Sequence, residues 1–471
     1  MTWADTDYGY KKKITIDHTK VAGDEVNFPI LISVTNADLA DTDNDGHVES
    51  SDGYDIVFYN DKEDTLLKHE IESYTNTDGT LVFWVKVDSL SSTVDTDIYI
   101  YYGKAGVVVN PSNTDTWDNQ HVIVQHMADN PDTMHITDST SNGNDGTKSN
   151  WNEPDETDGK IAKGQDFDGI NDHVNCGNDG TLSPDNEITI SVWVNVTNFI
   201  ALEYPGLVEK DHTEEYDLLL YPNGTWRLIC FPGGVRADIN GIGRLSTGQW
   251  YHLTATYNAT TGKGYTYTNG VQSTVYIGDV GILQTSIDDL LIGERDGHFF
   301  NGLIDEVRVS NTVRSANWIS TMYESENAPD TFMNWDVEEV FIETSIYENS
   351  FTLQSDTYTV YITNPEWRGL DGQITKDIAL FDFWNGNFST VDKGIDSRDR
   401  HLQGVESVIN DINEKVERIW SMQNNKEEVT ITRLGETING IYIIESFDFK
   451  TIKGTNAAYS WSMNLKFVRD V

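Results

Sequence analysis

The stretch that most restricts how this chain can fold is Asp288-Asp289-Leu290-Leu291-Ile292-Gly293-Glu294, followed by Phe300-Asn301-Gly302-Leu303-Ile304-Asp305-Glu306-Val307-Arg308-Val309. Two apolar runs are joined by a polar turn containing Asp296-Gly297. In the second run apolar Leu303 and Val307 alternate with charged Asp305, Glu306 and Arg308, the pattern of a half-buried strand. Short β-runs of this kind recur along the chain. Lys13–Ile16, Phe28–Val34, Asp55–Tyr59, Leu81–Val87 and Asp97–Gly103 lie at spacings suited to an antiparallel sandwich. Ile188–Val194 alternates strictly, and Thr247–Tyr257 and Tyr267–Val271 follow, with Asn269-Gly270 supplying the positive φ values of a hairpin turn. The fold class is mainly β.

At 471 residues the chain exceeds one core. Its 77 acidic and 32 basic residues give a net charge of −45, spread along the whole length. Such a polyanion repels nucleic acid and anionic lipid, so neither is an expected partner. The acidity serves solubility or, in the reading preferred here, adaptation to molar salt, where screening relieves self-repulsion. Cys176 and Cys230 are the only cysteines, so no disulfide framework supports the fold, and whether the two pair stays open. No apolar run reaches membrane-spanning length. The start, Met1-Thr2-Trp3-Ala4-Asp5, lacks a basic n-region and an apolar h-region. A secretory signal has been trimmed, or the protein leaves its cell another way, for instance inside a virus particle.

Residues 1–118 form an expected N-terminal β-sandwich. Its order of runs, from "YKKKITID" through "LVFWVKV" to "DIYIYYG", resembles an uncharacterised β-sandwich domain that often precedes LamG modules in archaeal and bacterial surface proteins. Within it, Asp41, Asp43 and Asp45 occupy positions 1, 3 and 5 of a calcium-type loop, with Gly46 at position 6, His47 at 7, Glu49 at 9 and Asp52 at 12. Alternate carboxylates on a tight turn can surround a hard cation that wants six to eight oxygens. Asp stands where a bidentate Glu is usual, and the flanks read as strand or loop rather than helix. The expectation is a structural Ca2+ site, set against a solvated acidic turn.

Residues 119–330 carry a closer resemblance. "HVIVQHMADNPDTMHITDSTSNGNDGT", Asp166–Val174 and "FNGLIDEVRVSNTVRSANWI" resemble the LamG-type, concanavalin-like jelly roll. The resemblance implies a calcium ion near the sandwich edge, held by Asp138, by Asn142 or Asn144, and by Asp305; for Asp305 the alternative is a surface carboxylate paired with Arg308. It also implies a glycan surface of exposed aromatic and polar side chains, for which Tyr221, Trp226, His298 and Phe299 are candidates, each set against a core or turn-filling role. Concanavalin-like glucanases place carboxylates at alternate positions of one strand, about 5 Å apart for retention. Asp288, Asp289 and Glu294 are wrongly spaced, and adjacent Asp305 and Glu306 are expected on opposite sides of the sheet. Catalysis is therefore disfavoured.

Ser325–Thr331 reads as a linker. In 336–471, strands surround one long amphipathic helix whose stripe is Leu402, Val405, Val408, Ile409, Ile412, Val416, Ile419 and Trp420. The pattern resembles β-plus-helix assembly domains of viral tail and baseplate proteins. The implied function is a tail- or baseplate-anchored adhesin of a virus infecting a halophilic archaeon, a homo-oligomer that presents its jelly roll to host surface glycans or glycoproteins. A secreted or cell-surface adhesin is the alternative, and a glycan hydrolase the third.

Overall fold

The computed structural model describes residues 3–149, 154–201 and 203–341, together with six strands between 351 and 469. The chain divides into two compact units, Met1–Phe341 and Ile342–Val471.

The first unit begins with a two-sheet sandwich. One sheet orders Met333–Trp335, Tyr10–Ile16, Thr96–Tyr102, Val57–Tyr59 and Leu66–Leu67; the other orders Glu25–Thr35, Thr80–Leu90 and His69–Thr75. Phe28, Ile30, Ile32, Phe83, Val85 and Val87 fill the space between them. The intervening Leu31, Val82 and Trp84 face the other way and pack on Trp117, Val124 and Ile161. Both faces of these strands are thus buried, which is why "FPILISV" and "LVFWVKV" are nearly continuous apolar runs rather than alternating ones.

The stretch read as a linker instead lies in two helices that pack on this core. Ser315 accepts a hydrogen bond from the Trp318 amide at 3.0 Å and caps the helix Ala316–Asn327, which leads into the short helix Pro329–Phe332. Trp318, Ile319, Met322 and Phe332 are inserted into the first sandwich. The chain then lays Met333–Trp335 and Glu339–Val340 along Tyr10–Ile16, pairing Ile14 with Trp335 and Tyr10 with Val340.

Between these segments lies the jelly roll. A nine-stranded sheet includes Lys163–Asp168, Asn301–Ser310, Glu187–Val196, Trp250–Asn258 and Lys263–Thr268. An eight-stranded sheet runs from Ala237–Asn240 through Trp226–Cys230, Tyr216–Leu220, Gly206–Lys210 and Leu291–Ile292 to Val174–Asn175, Gly146–Lys148 and His135–Ile136. Asn269-Gly270 and Asp296-Gly297 have the paired positive φ values of two-residue hairpin turns. Cys176 and Cys230 are buried free thiols.

The Asn301–Ser310 strand departs from simple alternation. Glu306 has a φ of 50°, and the pairing with Glu187–Val196 slips a residue there. Ile304, Val307 and Val309 enter the core, so this bulge turns Asp305 and Glu306 to the same side, correcting the expectation that they oppose each other. Both are buried, and Arg308 pairs with Glu306 and Glu326, so Asp305 is not a surface partner of Arg308.

In the second unit the six described strands form one antiparallel sheet, whose longest pairing joins Glu436–Thr451 to Ala458–Arg469. The expected helix is contradicted at its start: Arg400–Ser407, which holds Leu402 and Val405, is a strand paired with Ala458–Arg469. Gly404, between those two apolar residues, is a poor helix former. Val408, Ile409, Ile412, Val416, Ile419 and Trp420 lie outside the described residues.

Candidate ligand-binding face

Strand alternation decides what the eight-stranded sheet shows outward. Tyr216, Leu218 and Leu220 enter the core, as do Trp226, Leu228 and Cys230, so Asp217, Leu219, Arg227 and Ile229 lie on the opposite face. There Leu219, Ile229 and Phe231 form a small apolar floor with Tyr221 against it.

A polar and aromatic ridge surrounds this floor. The Arg227 guanidinium lies 4.5 Å from the Tyr221 ring centre. Arg227 and Arg236 both reach Asp238, at 2.8 and 2.9 Å. Tyr204 meets Tyr221 edge-on at 5.3 Å and His298 at 6.1 Å, and His298 is hydrogen-bonded to Glu203. Arg295 holds Asp217 at 2.5 Å. Half-exposed rings beside fixed arginine and carboxylate groups offer both faces that a sugar requires, apolar C–H and hydroxyl.

Glu209 stands directly opposite Asp217 across the strand pair. Burial, and then Asp217, pushes the Glu209 carboxyl up to about 8; burial pushes Asp217 up to about 6 against the pull of Arg295. Both side chains are sealed from solvent, so the pair supports the ridge and presents no carboxylate to a ligand.

The structure sorts the four expected glycan residues. Tyr221 and His298 stand on the ridge, joined through Tyr204. Phe299 lies beside His173 and with Tyr221 lines a small crevice behind the ridge. Trp226 is only 1% exposed, in the core, so it is corrected from binding residue to packing residue. Tyr204, Arg227 and Arg236 are the members that sequence reasoning missed.

The calcium-type residues of the Asp41–Asp52 loop differ in burial and contacts. Asp41 is buried, its oxygens taking Asn44 and Asn76 amides at 2.7 and 2.6 Å, while Asp43, Asp45, Glu49 and Asp52 are exposed around a one-turn helix at Thr42–Asn44. His47 turns away to Glu338 at 2.8 Å and stacks on Tyr10. The buried carboxylate that organises the end of this loop is Asp55, which accepts the Glu49, Ser50, Gly103 and Lys104 amides. In the second expected set Asp138, Asn142 and Asn144 share one hydrogen-bond network. Asp138 is satisfied by the Val124, Thr140 and Asn144 amides, and Asn142 and Asn144 donate to the Val122 carbonyl. Asp305 instead caps the Lys160 and Ile161 amides. An open cleft of about 550 Å³ adjoins Asn144, lined also by Asp145, Lys148, His173 and Asn178.

Comparison with known proteins agrees with this architecture. Residues 168–320 match the laminin G type of the concanavalin A-like lectin/glucanases superfamily, and residues 52–153 match a domain of unknown function, DUF2341. No curated protein matches the chain. Among solved structures, domain 4 of the extracellular arabinanase AbnA from Geobacillus stearothermophilus, in complex with arabinotriose, is 23% identical with a TM-score of 0.34, covering 43% of this chain and 98% of that one. The binding domain of Paraclostridial Mosquitocidal Protein 1 is 11% identical with a TM-score of 0.37, covering 74% and 92%. Trypanosoma rangeli sialidase in complex with sialic acid is 12% identical with a TM-score of 0.35, covering 57% and 45%. Likenesses this distant assign no ligand.

Proposed function

We propose that the chain is a non-catalytic, glycan-binding adhesin that reads host surface glycans with the Tyr204–Tyr221–His298 ridge of its jelly roll. The observation that carries the reading is the ridge itself: rings held edge to edge, with Arg227, Arg236 and Asp238 fixed beside them, on a face turned away from the core. The Ile342–Val471 unit serves as the assembly part, joining copies of the chain and other tail or baseplate subunits of a virus adapted to high salt. Weak sugar contacts then multiply across copies. The Asp41–Asp52 loop takes Ca2+ in a structural role. The experiment is a glycan array probed with the full chain and with Tyr221→Ala. Binding that drops about tenfold or more in the variant supports the reading; binding that is unchanged, or absent from the parent chain on all host-type glycans, sinks it. A secreted adhesin is the second reading, and the solution mass separates the two: a ring-sized oligomer favours the virion role, a monomer the secreted one.

A further inference from the structure

A largely buried polar layer lies where the first sandwich meets the jelly roll. The Arg308 guanidinium sits 4.5 Å from the Trp84 ring centre and 4.9 Å from that of Trp117. Around it stand Glu70 and Glu72 of the His69–Thr75 strand, His126, Asp305 and Glu306 at the bulge, and Glu326 of the Ala316–Asn327 helix. Five carboxylates therefore share this layer with Arg308 and His126, and Lys160 stands at its margin over Trp193. Carboxylates withdrawn from water need a proton, a cation or a full set of donors.

Glu72, His126 and Glu306 bring two carboxylate oxygens and one imidazole nitrogen within 4.8 Å of one another. His126 Nδ1 lies 2.7 Å from Glu306 Oε1 and 3.5 Å from Glu72 Oε2. Each of the three is held from behind by a different partner. Glu70 faces His126 Nε2 at 3.5 Å, Trp84 Nε1 donates to Glu72 Oε2 at 2.7 Å, and Arg308 donates to Glu306 Oε2. Glu72 Oε1 has no hydrogen-bond partner, although the side chain is only 2% exposed.

We propose that Glu72, His126 and Glu306 bind a divalent transition ion of the zinc type, which staples the first sandwich to the jelly roll. One imidazole nitrogen and two carboxylate oxygens suit zinc at bond lengths of about 2.0–2.2 Å, whereas calcium and magnesium prefer oxygen alone. A carboxylate on the far nitrogen of the histidine, here Glu70, is the usual means of orienting a metal-bound imidazole. The ion adds positive charge among the five carboxylates of the layer. Glu72 belongs to the first sandwich, and His126 and Glu306 to the jelly roll, so neither domain holds the site alone.

The test strips the full chain with a chelator, titrates it with zinc chloride by calorimetry, and measures the metal retained after gel filtration. One zinc ion per chain is expected, with affinity lowered at least tenfold in Glu72→Gln and in His126→Gln and unchanged in His18→Gln. Glu70→Gln, which removes no ligand, lowers affinity by about 10–100-fold. No retained zinc, or zinc held equally well by Glu72→Gln and His126→Gln, overturns the proposal. If those two variants fail to fold, unchanged affinity in Glu70→Gln overturns it.

Discussion

At the residue scale, Tyr221 and Trp226 show how close neighbours take opposite roles. Trp226 opens a strand whose odd partners face out and whose even members, Leu228 and Cys230, face in, and it follows them into the core. Trp226→Ala should therefore cost about 3–5 kcal/mol in chemical denaturation. Tyr221→Ala should leave the melting temperature nearly unchanged and act on glycan affinity alone. The Glu209 carboxyl makes a pH prediction. Its folded value, about 8, lies above its ordinary 4.5, chiefly through burial, so the folded state binds a proton more readily than the unfolded one. Its contribution is complete below about pH 4.5 and is lost as pH rises through about 8. Glu209→Gln, which keeps an oxygen for the His212 amide, should be more stable than the parent chain by about 2 kcal/mol near pH 9, and no more stable at pH 4.5. Alternation around Trp226 was legible in the sequence, since only one strand phase places Leu228 and Cys230 inside. Asp55 was not legible: at the head of the Asp55–Tyr59 run it reads as an ordinary strand residue, and its four amide donors come from two separate loops.

Among the elements, the strands with simple alternation or a two-residue turn were readable, because period and turn chemistry are local properties. The bulge at Asp305-Glu306 was not, since a positive φ at a glutamate is imposed by the neighbouring strand. Nor was the Ala316–Asn327 helix. Its apolar residues Trp318, Ile319 and Met322 serve another domain's core, and Ser325-Glu326-Asn327-Ala328-Pro329 reads locally as loop. The strands Met333–Trp335 and Glu339–Val340 complete the sheet edge beside Tyr10–Ile16. A chain ending at residue 330 should melt several degrees below one ending at 341, and trypsin should cut first near Lys11, Lys12 and Lys13. For the Asp41–Asp52 loop, a calcium-specific chelator should lower the melting temperature at fixed salt, by the equivalent of about 2.7 kcal/mol if calcium had stood at a hundred times its Kd. No response would remove calcium from the account.

At the scale of the whole molecule, one family match ends at residue 153 and the other begins at residue 168, yet the physical unit extends from the first sandwich to Phe341. Trp84 packs across the seam onto Val124 and Ile161, and the helix after the jelly roll finishes the first core. Residues 3–341 should therefore unfold in one calorimetric transition rather than two. A net charge of −45 should make that transition rise steeply as salt goes from millimolar to molar. An insensitive transition would remove the high-salt reading.

The pairing of Tyr10 with Val340 has one more consequence. The first and last long-range pairings of this large unit bring its two ends onto neighbouring strands, close together in space. A body attached that way can be grafted into a surface turn of an unrelated scaffold without stretching either partner. The specificity of the ridge would then travel as a portable cassette, exchanged between carriers by recombination at two points that are distant in the gene and adjacent in space.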